Sequence, residues 1–174
     1  MPEIIPYLKR EEIDSLTSDI ANRISSDYKG RNLIIIGVLT GAFIFMADLI
    51  RKISIPVKID FIGASSYGDA TQSTGKIQIT KELSTDVEDI NVLLVEDIVD
   101  TGLTLDFLID YVKSFRPRSV KVCTLLDKQE RRRTDVTVDY ACRVVEDRFI
   151  VGYGLDHAGE YRQFPDIFYL KSEQ

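Results

Sequence analysis

Asn91-Val92-Leu93-Leu94-Val95-Glu96-Asp97-Ile98-Val99-Asp100-Thr101-Gly102-Leu103-Thr104 is the stretch on which the reading of the fold turns. Val92 to Val95 are aliphatic without alternation, the composition of a strand covered on both faces. A loop over 96–102 follows, then a helix from Leu103 to Phe115 with Leu105, Leu108, Ile109, Val112 and Phe115 on one face and Asp106, Asp110 and Lys113 on the other. Pro117 closes it, and Val120 to Leu126 is the next continuous apolar strand. The same order stands upstream, where Asn32 to Val38 reads as a strand and Gly41 to Lys52 as a helix. Strands alternating with amphipathic helices predict an α/β domain: a mainly parallel twisted sheet flanked by helices, with ligands gathered beyond the carboxyl ends of the strands.

Outward from there, residues 9–29 carry Ile13, Leu16, Ile20 and Ile24 at helical spacing, with Gly30 at the expected stop. Val57 to Phe61 and Lys76 to Thr80 read as strands joined by a polar loop, Ser65 to Gly75, too long for a tight turn and suited to a lid. From Asp135 the pattern loosens into short pieces, Tyr140 to Val145, Phe149 to Gly152 and Ile167 to Leu170. One domain over 1–174 is expected, with a core at about 9–134 and a small hood built from the chain ends, 1–8 and 135–174.

A chain of 174 residues can bury roughly 70% of its unfolded surface, enough for one core. The balance of 22 basic and 28 acidic side chains, a net charge of −6, argues against nucleic acid and against anionic membrane surfaces as partners. No apolar run reaches the ~20 residues of a membrane span, and the start has no signal-peptide pattern, so a cytoplasmic location is expected. Cys123 and Cys142, without a CxxC pair, read as buried reduced thiols. His157 is the only histidine, which argues against a histidine-rich metal site or a Ser-His-Asp triad.

The chemistry concentrates at 96–104. Glu96 and Asp97 suit ribose hydroxyls or a hydrated Mg²⁺, and the amides of Thr101, Gly102, Leu103 and Thr104 at a helix N-terminus suit a phosphate, with Gly102 permitting close backbone approach. Each acid alone is more often a helix cap or a solvated loop charge. The whole string points to a sugar phosphate. A nucleotide P-loop is absent, and Gly152-Tyr153-Gly154 lacks the third glycine of a dinucleotide fingerprint.

Glu96 to Thr104 resembles the phosphoribosyl-pyrophosphate signature of the type I phosphoribosyltransferases. Ser66-Tyr67-Gly68 with Ser73-Thr74-Gly75, Leu126-Asp127-Lys128, and Asp147 through Asp156 resemble the lid, the purine-reading lysine segment and the base-stacking and metal segment of the hypoxanthine-guanine (6-oxopurine) branch. The likeness runs over most of residues 33–170. It implies the type I phosphoribosyltransferase fold and transfer of a 5-phosphoribosyl group from phosphoribosyl pyrophosphate to N9 of hypoxanthine or guanine, giving a purine nucleotide (IMP or GMP) and pyrophosphate. It implies that Glu96 and Asp97 hold the ribose directly or through Mg²⁺, and that Ile98 and Val99 lead into the phosphate loop Asp100-Thr101-Gly102-Leu103-Thr104. Asp100 is then the catalytic acid/base at N7, Lys128 reaches the 6-oxygen, Phe149 stacks on the purine, and Ile150 offers backbone to the base edge. Asp156 joins Glu96 and Asp97 as a metal residue, Arg162 lies near pyrophosphate, and Leu39-Thr40-Gly41 is the pyrophosphate loop, with Thr40 where the family often has a basic residue. A homodimer or homotetramer is implied as well.

On position alone, Phe149 would more often be core, and Lys128 with Arg131, Arg132 and Arg133 would be a solvated basic run. Three other readings compete: a nucleotide-sensing or RNA-binding relative of these transferases, a xanthine-preferring enzyme, and an unrelated methyltransferase or phosphatase. The net charge disfavours RNA, and Asp97 and Asp100 are three apart where a phosphatase acid pair needs two.

Overall fold

The computed structural model describes residues 3–67 and 76–171. In chain order the elements are β1 (Glu3–Leu8), α1 (Arg10–Asp27), β2 (Leu33–Leu39), α2 (Phe43–Lys52), β3 (Lys58–Tyr67), β4 (Lys76–Lys81), β5 (Asn91–Val99), α3 (Leu103–Lys113), β6 (Ser119–Asp127), β7 (Tyr140–Val144), β8 (Ile150–Val151) and β9 (Ile167–Lys171). Six strands form the central sheet in the order β4-β3-β2-β5-β6-β7. All its pairings are parallel except β3 with β4.

The aliphatic runs divide by strand period between two cores. Ile35, Leu93, Val95, Cys123 and Leu125 pack with Ile13, Ile20 and Ile24 of α1 and Phe45, Met46 and Leu49 of α2. Ile34, Ile36, Val38, Val92, Leu94 and Val122 pack on the other face with Leu105, Leu108 and Val112 of α3. Both faces being covered, the central runs Ile34–Val38 and Val92–Val95 carry no polar side chain on either face, which is why no alternation shows in the sequence.

This topology positions the site. From β2 the chain crosses through α2 to β3 on one side, and from β5 through α3 to β6 on the other, with α2 and α3 on opposite faces. β2 and β5 pair only as far as Gly37↔Val95. Beyond that register the two connections diverge, and a crevice opens between the carboxyl ends of the strands, the usual ligand position in open α/β sheets.

Three expectations are corrected. The segment 96–99, expected as loop, continues β5, because Glu96, Ile98 and Val99 pair with Thr124, Leu126 and Asp127 of β6. Ser65, Ser66 and Tyr67, expected in the polar loop, extend β3 against Gln78, Ile77 and Lys76 of β4. The expected lid residues Gly68 to Gly75 lie outside the described residues. Tyr140–Val144, expected in the hood, is the edge strand of the main sheet. It is held there from α1, where Asp27 accepts a 2.6 Å hydrogen bond from the Tyr140 hydroxyl and the Cys142 thiol lies 3.9 Å from the Leu16 carbonyl. The antiparallel hood sheet is β1-β9-β8, joining both ends of the chain as expected.

Candidate active site

The crevice has a volume of about 250 Å³ and is lined by Val38, Leu39, Gly41, Ala64, residues 96–102, Thr104 and Leu105. Glu96 sits at its floor, 9% exposed. Burial pushes the Glu96 carboxyl well above the ordinary range, and the adjacent Asp97 charge pushes it further. Burial raises Asp97 to about 6, against the opposing pull of the Ile98 N–H, which donates to its Oδ1 at 2.8 Å, and of the Arg162 guanidinium. Two desolvated carboxylates side by side are unfavourable unless a cation or hydroxyl donors meet them.

At the end of β5 the chain turns through Gly102, whose φ of +83° places it in the left-handed region. Gly102 is the N-cap of α3 and has no side chain to cap it; the Thr101 hydroxyl accepts the Leu103 N–H at 3.4 Å, so the capping role that an acid at this place often takes does not fall to Asp100. A Cβ on Gly102 would overlap Thr134 and Arg132, which pack behind the turn. Thr101, Gly102 and Thr104 line the crevice at the helix N-terminus, where backbone N–H groups make an anion cradle, while Leu103 is 45% exposed outside that lining.

Gly41, after β2, faces the acids from the opposite wall, and a Cβ there would fall on the Asp97 carboxylate. The Leu39–Thr40 peptide is cis, and Thr40 is exposed. From the hood, Gly152, Tyr153 and Gly154 all have positive φ. This turn presses Gly154 so close to the Gly41 carbonyl that no side chain fits between them. The same segment brings Asp156, whose Oδ1 is 2.8 Å from Arg162 Nη2 and whose Oδ2 accepts the Gly159 N–H at 2.8 Å. Both groups are close enough to shift the ionisation of Asp97.

Next to the phosphate loop, Lys128 is buried, 6% exposed, and not on a solvated face as its neighbours suggested. Its Nζ lies 3.9 Å from Asp100 Oδ2 and 3.7 Å from Asp147 Oδ1. Arg131 Nε is 3.3 Å from Asp100 Oδ1, Arg132 is ion-paired with buried Asp127, and Arg133 donates its N–H to the Thr101 carbonyl at 2.8 Å. The basic run thus folds over the back of the phosphate loop. Phe149 is 47% exposed and Ile150 is buried. The Phe149 ring meets His157 edge-on at 5.0 Å, which leaves its position on the surface and not in the core.

Of the residues singled out in the sequence, Leu39, Gly41 and 96–102 with Thr104 line one crevice. Lys128, Asp156 and Arg162 join it through Asp100 and Asp97. Ser66 is exposed on β3, and among the described side chains of β3 it is Ala64 that lines the crevice. Sequence reasoning passed over Asp147 and the inward side of Arg131. Asp147 opened a segment already marked but carried no role in it, and Arg131 stood three residues after Lys128.

Among the described residues no three His, Cys, Asp or Glu side chains converge as an all-protein metal centre. No helix among them is long and apolar enough to cross a membrane.

The sequence profile of the phosphoribosyl transferase domain matches residues 7–158. The hypoxanthine-guanine phosphoribosyltransferase of Staphylococcus epidermidis is 42% identical over 166 residues, covering 95% of this chain and 93% of that one. The bifunctional protein TilS/HprT of Listeria monocytogenes is 41% identical over 166 residues, and there the match spans only 26% of the longer protein. A crystal structure of a hypoxanthine-guanine phosphoribosyltransferase from Bacillus anthracis, with a HEPES molecule in its active site, superposes with a TM-score of 0.92 at 44% identity, covering 97% and 99% of the two chains.

Proposed function

The chain belongs to the hypoxanthine-guanine phosphoribosyltransferase family, and from that membership we propose that it moves the 5-phosphoribosyl group of phosphoribosyl pyrophosphate to N9 of hypoxanthine or guanine, in purine salvage. The observation that carries this reading is the division of one crevice into buried carboxylates, a helix-end anion cradle, and an acid and ammonium side by side.

Each part answers a need of the reaction. Cleavage at ribose C1 builds positive charge on the sugar and negative charge on the leaving diphosphate. Glu96 and Asp97 face the sugar, and the 101–104 amides hold its 5′-phosphate, fixing C1 relative to the base. Arg162 and the Leu39-Thr40-Gly41 loop meet the pyrophosphate; with Thr40 in place of a basic residue, more of that charge falls to Arg162. Asp100 accepts the purine N7 proton while Lys128 donates to the 6-oxygen, a donor–acceptor order that matches a 6-oxopurine and opposes a 6-amino group. The exposed Phe149 ring is available to stack on the base and Ile150 to contact its edge. A lid carrying Ser66 and Tyr67 would exclude water from the electrophilic sugar.

Mg²⁺ takes few protein carboxylates and completes its shell with water and substrate phosphates. Glu96 and Asp97, buried and mutually repelling, suit such an ion, with Asp156 as the third residue to hold it. When bound, it would supply neutralisation of the diphosphate charge.

The unpaired thiols Cys123 and Cys142 support a reducing, cytoplasmic setting. Homodimer or homotetramer assembly is proposed from the family and is read by light scattering. The deciding assay offers phosphoribosyl pyrophosphate and Mg²⁺ with hypoxanthine, guanine, xanthine, adenine and uracil in turn and follows pyrophosphate release. Release with hypoxanthine or guanine is expected, and release with uracil alone would overturn the assignment.

A further inference from the structure

Two charged side chains beside the purine edge have no part in the reaction as described, Arg131 and Asp147. Arg131 comes from the short 3-10 turn Gln129–Arg131 after β6, and Asp147 from the loop before β8. Arg131 Nε is 3.3 Å from Asp100 Oδ1, and Arg131 Nη1 is 3.5 Å from Asp147 Oδ1. Asp147 Oδ1 is in turn 3.7 Å from Lys128 Nζ, which is 3.9 Å from Asp100 Oδ2. The four groups close a ring of alternating charge with no net charge.

The spacing within the ring is informative. A buried ammonium with a single carboxylate neighbour draws in to an ion pair of about 2.8 Å, which saturates both partners. The Lys128 side chain is only 7% exposed, yet it stays 3.9 Å from Asp100. The second carboxylate, Asp147, pulls it from the other side, and Arg131 offers Asp100 a competing cation. Asp100 Oδ1 is buried and has no hydrogen-bond donor among the described residues. Asp100 and Lys128 thus remain an acceptor and a donor side by side with unspent hydrogen-bonding capacity, the form that the N7 and O6 edge of a purine requires.

We propose that Asp147 and Arg131 are positioning residues for the base: Asp147 holds Lys128 off Asp100, and Arg131 holds the Asp100 carboxylate from the other side. This rests on the phosphoribosyl-transfer reading above. The other groups facing Asp100 are consistent with it. Arg132 Nε contacts the Asp100 main-chain carbonyl at 3.3 Å and its guanidinium is already paired with Asp127, so it does not replace Arg131. Asp97, on β5 just before Asp100, faces Arg162 and Asp156.

The test is steady-state kinetics on wild type, Asp147→Asn, Asp147→Glu, Arg131→Met and Arg131→Lys, each checked for a wild-type melting transition. Asp147→Asn is expected to raise KM for hypoxanthine roughly tenfold, with KM for phosphoribosyl pyrophosphate changed by less than about twofold, because only the base edge loses its geometry. Asp147→Glu restores most of the loss. Arg131→Met is expected to raise KM for hypoxanthine roughly fivefold, with KM for phosphoribosyl pyrophosphate changed by less than about twofold, since Asp100 loses the cation that fixes its place, and Arg131→Lys restores part of the loss. If Asp147→Asn does not fold, the Arg131 pair decides alone. Equal rises in both KM values, or an unchanged KM for hypoxanthine in Arg131→Met, overturn the inference while leaving the transferase reading in place. A wild-type protein inactive with every 6-oxopurine overturns both.

Discussion

Gly41 and Asp97 touch across the crevice so closely that a Cβ on the glycine would overlap the carboxylate. The contact joins the loop after β2 to the end of β5 at the one place where the sheet's two connections part.

Gly41→Ala should therefore displace either the loop or the Asp97 carboxylate. A displacement near 1 Å at reacting groups costs about 10²-fold in rate. A fall of that order in kcat/KM for phosphoribosyl pyrophosphate is expected, with KM for the base changed less. Wild-type kinetics in a folded Gly41→Ala protein would mean that the carboxylate is not held by this contact.

Asp100→Ala removes the proposed proton acceptor and leaves the anion cradle in place, since the cradle is made of backbone. Turnover should drop by ~10²- to 10⁴-fold, the usual contribution of a positioned acid/base. Calorimetric binding of phosphoribosyl pyrophosphate should be close to wild type. Full turnover in this variant would take Asp100 out of the role.

Glu96→Gln exchanges activity for stability. In the ligand-free protein the Glu96 carboxyl is raised by burial and by Asp97, so the native state holds its proton more tightly than the unfolded chain does. That group's effect on stability is absent below the unfolded carboxylate pKa and becomes a growing penalty as pH rises through the folded one. The neutral isostere avoids the penalty, and a gain of about 1 kcal/mol is expected at pH 7. Urea titrations at pH 7 and at pH 4 should show the gain at the first and little at the second. Substrate binding should weaken in the same variant.

Alkaline stability should report Tyr28. Its hydroxyl is buried with no hydrogen-bond partner among the described residues, and burial, then Asp139 and Asp27, push it up to about 12 from 10.0. A raised folded pKa means stability that is intact below pH 10 and lost as pH climbs towards 12, about 3 kcal/mol in all. Tyr28→Phe should be neutral or slightly stabilising at pH 7, because it deletes an unsatisfied polar atom. It should also flatten the loss between pH 10 and 12 seen by circular dichroism. A loss of the same size in wild type and variant would assign the alkaline limb to other groups. Tyr140 and Tyr153, raised by burial and by bonds to Asp27 and Asp48, are the other candidates.

Much of the fold was legible because burial on two faces leaves its mark residue by residue. Ile34 to Val38 and Val92 to Val95 are aliphatic at every position except Gly37, and that alone predicts covered parallel strands. The string Glu96 to Thr104 was legible as a site because carboxylates and a glycine-marked helix start are local features. Other elements were not. Glu96 to Val99 looked like loop because their strand pairing is supplied by Thr124 to Asp127, nearly thirty residues away. Tyr140–Val144 looked like hood for the same reason, its place in the sheet depending on β6 and α1.

The residues themselves determine which segments become strands and helices, and which loop carries acids and amides, because those properties follow from the period and chemistry of neighbours along the chain. Only the packed structure decides that Lys128 is buried while Arg133 is exposed within a few residues of one basic run. The same packing decides that Asp147 stands against Lys128 and Arg131. Charge acts through space and through the local exclusion of water, and both are set by which segments the sheet brings together.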